Sequence, residues 1–404
     1  MNLWLKRGFF IRSSVSAWLI PALSLFVLYG CEDKVLQKDC IAGGHLSFLP
    51  DSYPALYPIV DDEQIILSAI ELPDTSTTLY SYDACDFTLN WKLALDDLFY
   101  SNLKWLKSGD TLILPGERSL ASIDIQRGKI NWIKDYLYGE PYLSRFGSLI
   151  LQSYNHNNKA SIKLIDIATG RILDEIQLNH PETGRHRLRT PEAVLNGGAY
   201  LLASVINYFP EEEITYNYIV KVPLDGVRKV DTLQVGPHNP YGFGITKQPI
   251  IIGDSSVWLA HNALICIDHN AWKEIWKTSF PRSMLTSRPV VFDRFIYCAM
   301  EDGFLYKVEA ETGKIVDKRQ TSGTPSKLMF NGESIYMVGG GNGKAFQIPL
   351  DSEKAMITRG VSKGTKSQLK KELYYNRPFA VTDSLIVLHN NHNWEVNRVS
   401  SFFD

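Results

Sequence analysis

Ile123-Asp124-Ile125-Gln126-Arg127-Gly128-Lys129-Ile130-Asn131-Trp132 is the stretch that decides how this chain folds. Apolar residues alternate before Asp124, Gly128 supplies the positive φ a tight turn wants, and alternation resumes to a tryptophan: strand, turn, strand. The unit recurs. LIDIATGRILD ends at Asp174, ICIDHNAWKEIW at Trp276 and KVEAETGKIVD at Asp317. With the residue before the turn as anchor, the copies fall at Asp83, Asp124, Asp166, Pro223, Asp268, Glu309 and Pro349. Eight residues after these stand Trp91, Trp132, Asp174, Asp231, Trp276, Asp317 and Ile357. Gly170, Gly226 and Gly313 take further turns. Repetition at a fixed period is the mark of a repeat architecture built from β-hairpins.

A second motif precedes each hairpin, as in RPVVFDRFIYCAM from Arg288 and RPFAVTDSLIVLH from Arg377. Its prolines are Pro58, Pro141, Pro191, Pro249, Pro289, Pro325 and Pro378, with an equivalent strand near Leu103, which makes eight units. Proline suits the first residue of an inner strand, where no ladder partner needs its missing N–H. Anchor spacings of 40 to 57 residues fit four-stranded blades. The fold class is therefore all-β: an eight-bladed β-propeller of four-stranded antiparallel blades, with seven blades as the alternative. The last unit lacks a strand, while AGGHLSFLP from Ala42 is unclaimed. An N-terminal strand that completes the C-terminal blade would close the ring and remove its free edges.

The 404 residues are 45% hydrophobic and 21% charged, an ordinary globular composition, and the net charge of −2 gives no basic field for nucleic acid. Residues 1–30 differ from the rest. Lys6, Arg7 and Arg12 precede an apolar run from Val15 to Leu28, interrupted by Pro21 and followed by Leu28-Tyr29-Gly30-Cys31. That is the layout of a signal peptide, too short for a comfortable membrane span. The last four residues resemble the bacterial lipobox, which implies acylation of Cys31, so 31–43 is expected to be a lipid-anchored linker and 44–404 the propeller. Of the other cysteines, Cys40 with Cys85 is the preferred disulfide, tying the N-terminal strap to the first blade. Four buried free thiols, Cys266 and Cys298 included, are the alternative.

The D-x-x-T-G-x-x-x-W pattern, seen in Asp124 to Trp132 and Asp166 to Gly170, resembles the repeat of PQQ-like (quinoprotein-dehydrogenase-like) propellers over nearly the whole mature chain. The resemblance implies eight blades, with Trp91, Trp132 and Trp276 each wedged against the next blade. It also brings an enzymatic alternative, oxidation by a quinone held with calcium. The adjacent cysteines and roofing loops of those dehydrogenases are missing here, and neither a metal-binding spacing nor a hydrolase, Walker or dinucleotide fingerprint occurs. The expectation is accordingly no cofactor, no metal and no catalysis.

Function is then expected from the loops that a rigid ring presents. Four connections are informative: Asn179 to Thr190 with Arg187 and Arg189, the one from Gly236 with Tyr241, the one with Arg282 and Arg288, and VSKGTKSQLKKELYYNR with Tyr374 and Arg377. All join an outer to the next inner strand and so should share one basic, aromatic face, of the composition that dominates binding hot spots. The insertion Asn207 to Tyr218 is expected either to lengthen a hairpin on the opposite face or to be a plain polar loop. Non-catalytic members of the resembled family include lipid-anchored propellers that assist outer-membrane protein assembly. This points to a monomeric scaffold in the cell envelope, at the outer membrane, that binds envelope proteins or peptides. A surface glycan-binding module is the alternative.

Overall fold

The computed structural model describes residues 46 to 403, except 50–55, 62, 71–75, 96–104, 117–118, 136–142, 157–158, 179–184, 197, 210–213, 224–229, 236–248, 261, 282–286, 324, 340–342, 361–378 and 391–392. They belong to the compact unit Cys40–Asp404. The signal peptide, Cys31 and Cys40 lie outside the described residues.

Eight four-stranded antiparallel sheets follow one another along the chain. Strand β1 is Leu46–Phe48. Blade 1 comprises β2 (Ile59–Val60), β3 (Gln64–Ile70), β4 (Thr77–Asp83) and β5 (Leu89–Leu95); blade 2 comprises β6 (Leu106–Ser108), β7 (Thr111–Pro115), β8 (Ser119–Asp124) and β9 (Lys129–Asp135). Blade 3 holds β10 (Leu143–Phe146), β11 (Leu149–His156), β12 (Lys159–Asp166) and β13 (Ile172–Gln177); blade 4 holds β14 (Arg185–Asn196), β15 (Gly198–Phe209), β16 (Ile214–Pro223) and β17 (Asp231–Gln234). Blade 5 runs from β18 (Ile250–Ile252) through β19 (Ser255–Ala260) and β20 (Ala263–Asp268) to β21 (Lys273–Ser279). Blade 6 runs from β22 (Val290–Phe292) through β23 (Phe295–Ala299) and β24 (Phe304–Glu309) to β25 (Ile315–Gln320). Blade 7 is β26 (Met329–Phe330), β27 (Ser334–Gly339), β28 (Lys344–Pro349) and β29 (Ile357–Arg359). In blade 8, β30 (Phe379–Val381), β31 (Leu385–His389) and β32 (Trp394–Arg398) are completed by β1, which pairs with β32 as Leu46↔Val396, Ser47↔Glu395 and Phe48↔Trp394. The count is eight, and the ring is closed by the N-terminal strand.

Successive side chains of a strand point to opposite faces, so a blade buried on both sides needs apolar residues at every position. The second strands show this: β3 reads QIILSAI and is buried over six consecutive positions. Each blade shares an apolar cluster with the next. Ile66 and Leu79 meet Leu112 and Ile123; Tyr200 and Ile219 meet Trp258 and Ile265; Ile65 and Leu67 meet Val387 and Trp394 across the closing seam. Burying each such side chain contributes roughly 1.5–3 kcal/mol, so the seams are the core.

The aspartate anchors act through their side chains. Asp124 Oδ1 accepts from the N–H groups of Gln126 (3.0 Å) and Arg127 (3.0 Å), and Asp268 Oδ1 from Asn270 (2.7 Å) and Ala271 (2.7 Å), the Asx-turn that fits aspartate for this place. The N–H of Ala271 and then of Asn270 holds the Asp268 carboxyl below the usual carboxylate range.

Three expectations are corrected by the strand pairing. The inner strand of blade 2 starts at Leu106 rather than near Leu103. Pro191 lies inside β14, at the register shift between Arg189 and Glu192 that lets a ladder tolerate it, so Arg187 and Arg189 belong to a strand and not to a connection. In an antiparallel blade, the second-to-third-strand turn opens on the same side as the connection into the first strand. Arg185, at the start of β14, pairs with Tyr208 near the end of β15. The turn between β15 and β16 therefore lies on the face where blades are entered, not on the opposite one.

Candidate functional site: the seams and the entry face

Each predicted docking tryptophan reaches into the following blade. Trp91 Nε1 donates to the Ile125 carbonyl (2.8 Å), Trp132 to Ile167 (3.0 Å) and Trp276 to Ala310 (3.1 Å). All three acceptors are the residue just after an anchor. The turn glycine receives the ring: a Cβ on Gly128 (φ +60) would stand 2.5 Å from Trp91 Cδ2, and one on Gly313 (φ +72) 2.5 Å from Trp276 Cε3. Glycine is thus required both by its backbone and by the indole against it.

Other seams use different chemistry that the tryptophan pattern does not mark. Where blade 4 carries Asp231 at the tryptophan position, blade 5 carries Trp272 (φ 50) at the glycine position, so the receiving turn provides the aromatic itself. The missing indole N–H is replaced by Lys221 Nζ, which donates to the His269 carbonyl (2.7 Å) and sits 4.6 Å from the Tyr200 ring centroid. His269 is 1% exposed, bonded through Nδ1 to the Tyr200 hydroxyl (2.7 Å), and its Nε2 has no partner among the described residues. Burial, then the Lys221 cation, lowers its pKa against the pull of Asp268 and Asp254. Between blades 6 and 7, Arg319 donates to the Asp351 (2.9 Å) and Lys354 (3.4 Å) carbonyls. At the closing seam Trp394, fully buried, donates to the Ser68 carbonyl (3.0 Å).

The entry face carries the residues expected to bind partners. Here blades 3 and 4 are the tallest: β11 and β12 have 8 residues each, and β14 and β15 have 12 each. Arg187 and Arg189 take alternate positions on β14, opposite Ile206 and Ser204. Arg288, half-buried, donates through Nη2 to the Pro249 carbonyl of blade 5 (3.1 Å). Counted from the first turn of each blade, Lys327 holds the same register in blade 7 as Arg288 in blade 6. Lys327 is exposed, and partial loss of hydration, then repulsion from Arg288, lowers its pKa. Tyr241, Arg282, Tyr374 and Arg377 lie outside the described residues, on connections that start and end on this face.

Cys85 is disulfide-bonded and buried, while Cys266 and Cys298 are free, buried thiols whose pKa burial raises. Among the described residues, no group of three or more His, Cys, Asp or Glu side chains could hold a metal ion, and no helix is long and apolar enough to cross a membrane.

No protein-family model and no curated protein sequence matches the chain. Among solved structures, BamB from Moraxella catarrhalis superposes with a TM-score of 0.52 at 14% identity, over 73% of this chain and 86% of that one. The chain has the fold of BamB. Apo AztD from Citrobacter koseri superposes with a TM-score of 0.49 at 11% identity, over 76% and 86% of the two chains. At such identities the likeness is one of fold, and the side chains that make the seams and the entry face are this chain's own.

Proposed function

We propose that this protein is a non-catalytic scaffold of the bacterial cell envelope, anchored at the outer membrane through a lipid on Cys31, which binds protein or peptide partners on its entry face. The observation that carries the reading is the raised wall of blades 3 and 4 on that face, with Arg187 and Arg189 at alternate positions of β14, together with the cations Arg288 and Lys327 at equivalent positions of blades 6 and 7 on the same face. A rigid ring with tall hairpins and cations at one end offers an extended segment both strand edges and charge complementarity. Tyr241, Arg282, Tyr374 and Arg377 would extend the same surface. The disulfide at Cys85 supports maturation in an oxidising compartment such as the periplasm.

The test is co-purification from detergent-solubilised envelopes with the lipid-free chain 32–404, compared with R187E/R189E and with R288E. Arg127 and Arg171 are exposed in turns on the opposite face, so R127E/R171E is the control. A defined envelope protein should be retained by wild type and control and lost from the entry-face variants. Retention by all four proteins would remove the entry face as the site.

A further inference from the structure

The closure of the ring rests on little secondary structure. Strand β1 contributes three paired residues to blade 8, against seven paired in the β3–β4 ladder of blade 1. What holds β1 beyond that ladder is its approach to blade 1: the Phe48 ring lies 4.6 Å from the Tyr82 ring and 6.3 Å from the Phe87 ring. Tyr82 and Phe87 flank one turn, and Cys85 is in it. That turn is rigid, with the Cys85 N–H on Asp83 Oδ1 (2.8 Å) and the Phe87 N–H on the Asp83 carbonyl (3.0 Å).

Cys85 is in a disulfide, the chain has five cysteines, and Cys266 and Cys298 are free. Within one chain the partner is then Cys31 or Cys40, and both precede β1. Cys40 is six residues from Leu46, a reach of up to about 20 Å, enough to return from β1 to the turn that Phe48 touches, and Cys31 is fifteen residues from Leu46.

We infer that Cys40 and Cys85 form a disulfide latch that fastens the ring-closing strand of blade 8 to the first turn of blade 1, so that the propeller is locked shut only in an oxidising compartment. The latch forms by exchange with the disulfide of a thiol–disulfide oxidoreductase. The Cys40 and Cys85 thiols give up two electrons and two protons in all, the new S–S bond forms, and the oxidoreductase leaves as its dithiol. Being buried at Cys85, the bond resists small reductants once the seam has closed. The inference stands on the seam's geometry and does not depend on the scaffold reading.

Peptide mapping of the exported full chain without reduction is the first experiment. It should recover a Cys40–Cys85 cross-linked pair, and a Cys31–Cys85 pair would overturn the assignment. Hydrogen exchange then compares wild type with C40S and with C85S. Amides of β1 and β32 should exchange roughly a hundredfold faster in either variant, with no further gain in the double variant, while β19 and β20 of blade 5 stay unchanged. If C85S does not fold, C40S alone carries the comparison because it leaves the turn intact. Acceleration spread evenly over all blades, or none at the seam, would refute a latch.

Discussion

Gly128→Ala is predicted to act through a side chain in another blade. At φ 60° the left-handed backbone alone costs an L-residue about 1 kcal/mol. The new methyl would also lie 2.5 Å from Trp91 Cδ2, inside any tolerable contact, so the indole has to leave its slot and its bond to the Ile125 carbonyl. Truncating a fully buried aromatic costs 3–5 kcal/mol; for the half-buried Trp91 about 2–3 kcal/mol is expected. Gly128→Ala should therefore cost about 3 kcal/mol, most of it the undocking of Trp91. In the Trp91→Ala background the ring is already gone, so the same substitution should cost about 1 kcal/mol. The double variant then falls short of the sum of the singles by about 2 kcal/mol. Urea denaturation of the four proteins, read as midpoint shifts at constant slope, measures this. Additivity within about 0.5 kcal/mol would refute the claim that glycine and tryptophan form one joint.

Other seams give further expectations. Lys221→Met keeps the apolar stem but leaves the His269 carbonyl unpaired and empties the cation site over Tyr200, and should cost about 1–2 kcal/mol in the same assay. Trp394→Phe leaves the Ser68 carbonyl without its indole donor and should likewise cost about 1–2 kcal/mol, visible as faster exchange at the closing seam. His269 is held neutral in the fold, so its folded pKa lies below the unfolded one. Its contribution to stability is complete above about pH 6.5 and is lost as pH falls below that value. Lys221, Tyr200, Asp254 and Asp268 are the groups acting on it. The fall in Tm between about pH 7.5 and 5.5 should be shallower in His269→Gln than in wild type, and equal slopes would exclude this histidine as its source.

The architecture was legible because its signals are local. An aspartate that caps its own turn and alternating apolar residues around it lie within one hairpin, with a glycine four residues on after Asp124 and Asp166, and Asp83, Asp124, Asp166 and Asp268 could be found without knowing what faces them. The count of eight followed, and so did the use of the N-terminal strand to fill the last blade. The seams were legible only in part, because their partners are more than thirty residues apart in sequence, as with Trp91 and Ile125. One signal was present: Trp272 stands four residues after Asp268, the place held by Gly128, Gly170 and Gly313 in three other turns, and the preceding blade has Asp231 in place of tryptophan. Lys221 had no such marker, since its role exists only when blade 4 meets blade 5. Proline misled where a strand continued past it. Pro191 marks a bulge inside β14, so the basic residues before it read as a loop although they pair with β15.

The scaffold reading is tested most directly by photo-crosslinking in living cells. The full chain would carry a benzoylphenylalanine probe at Arg187 or Lys327 on the entry face, or at Gln126 or Asn270 on the opposite face. The account predicts an adduct with a defined envelope protein from the first pair of positions and none from the second. Adducts from Gln126 and Asn270 alone would contradict it.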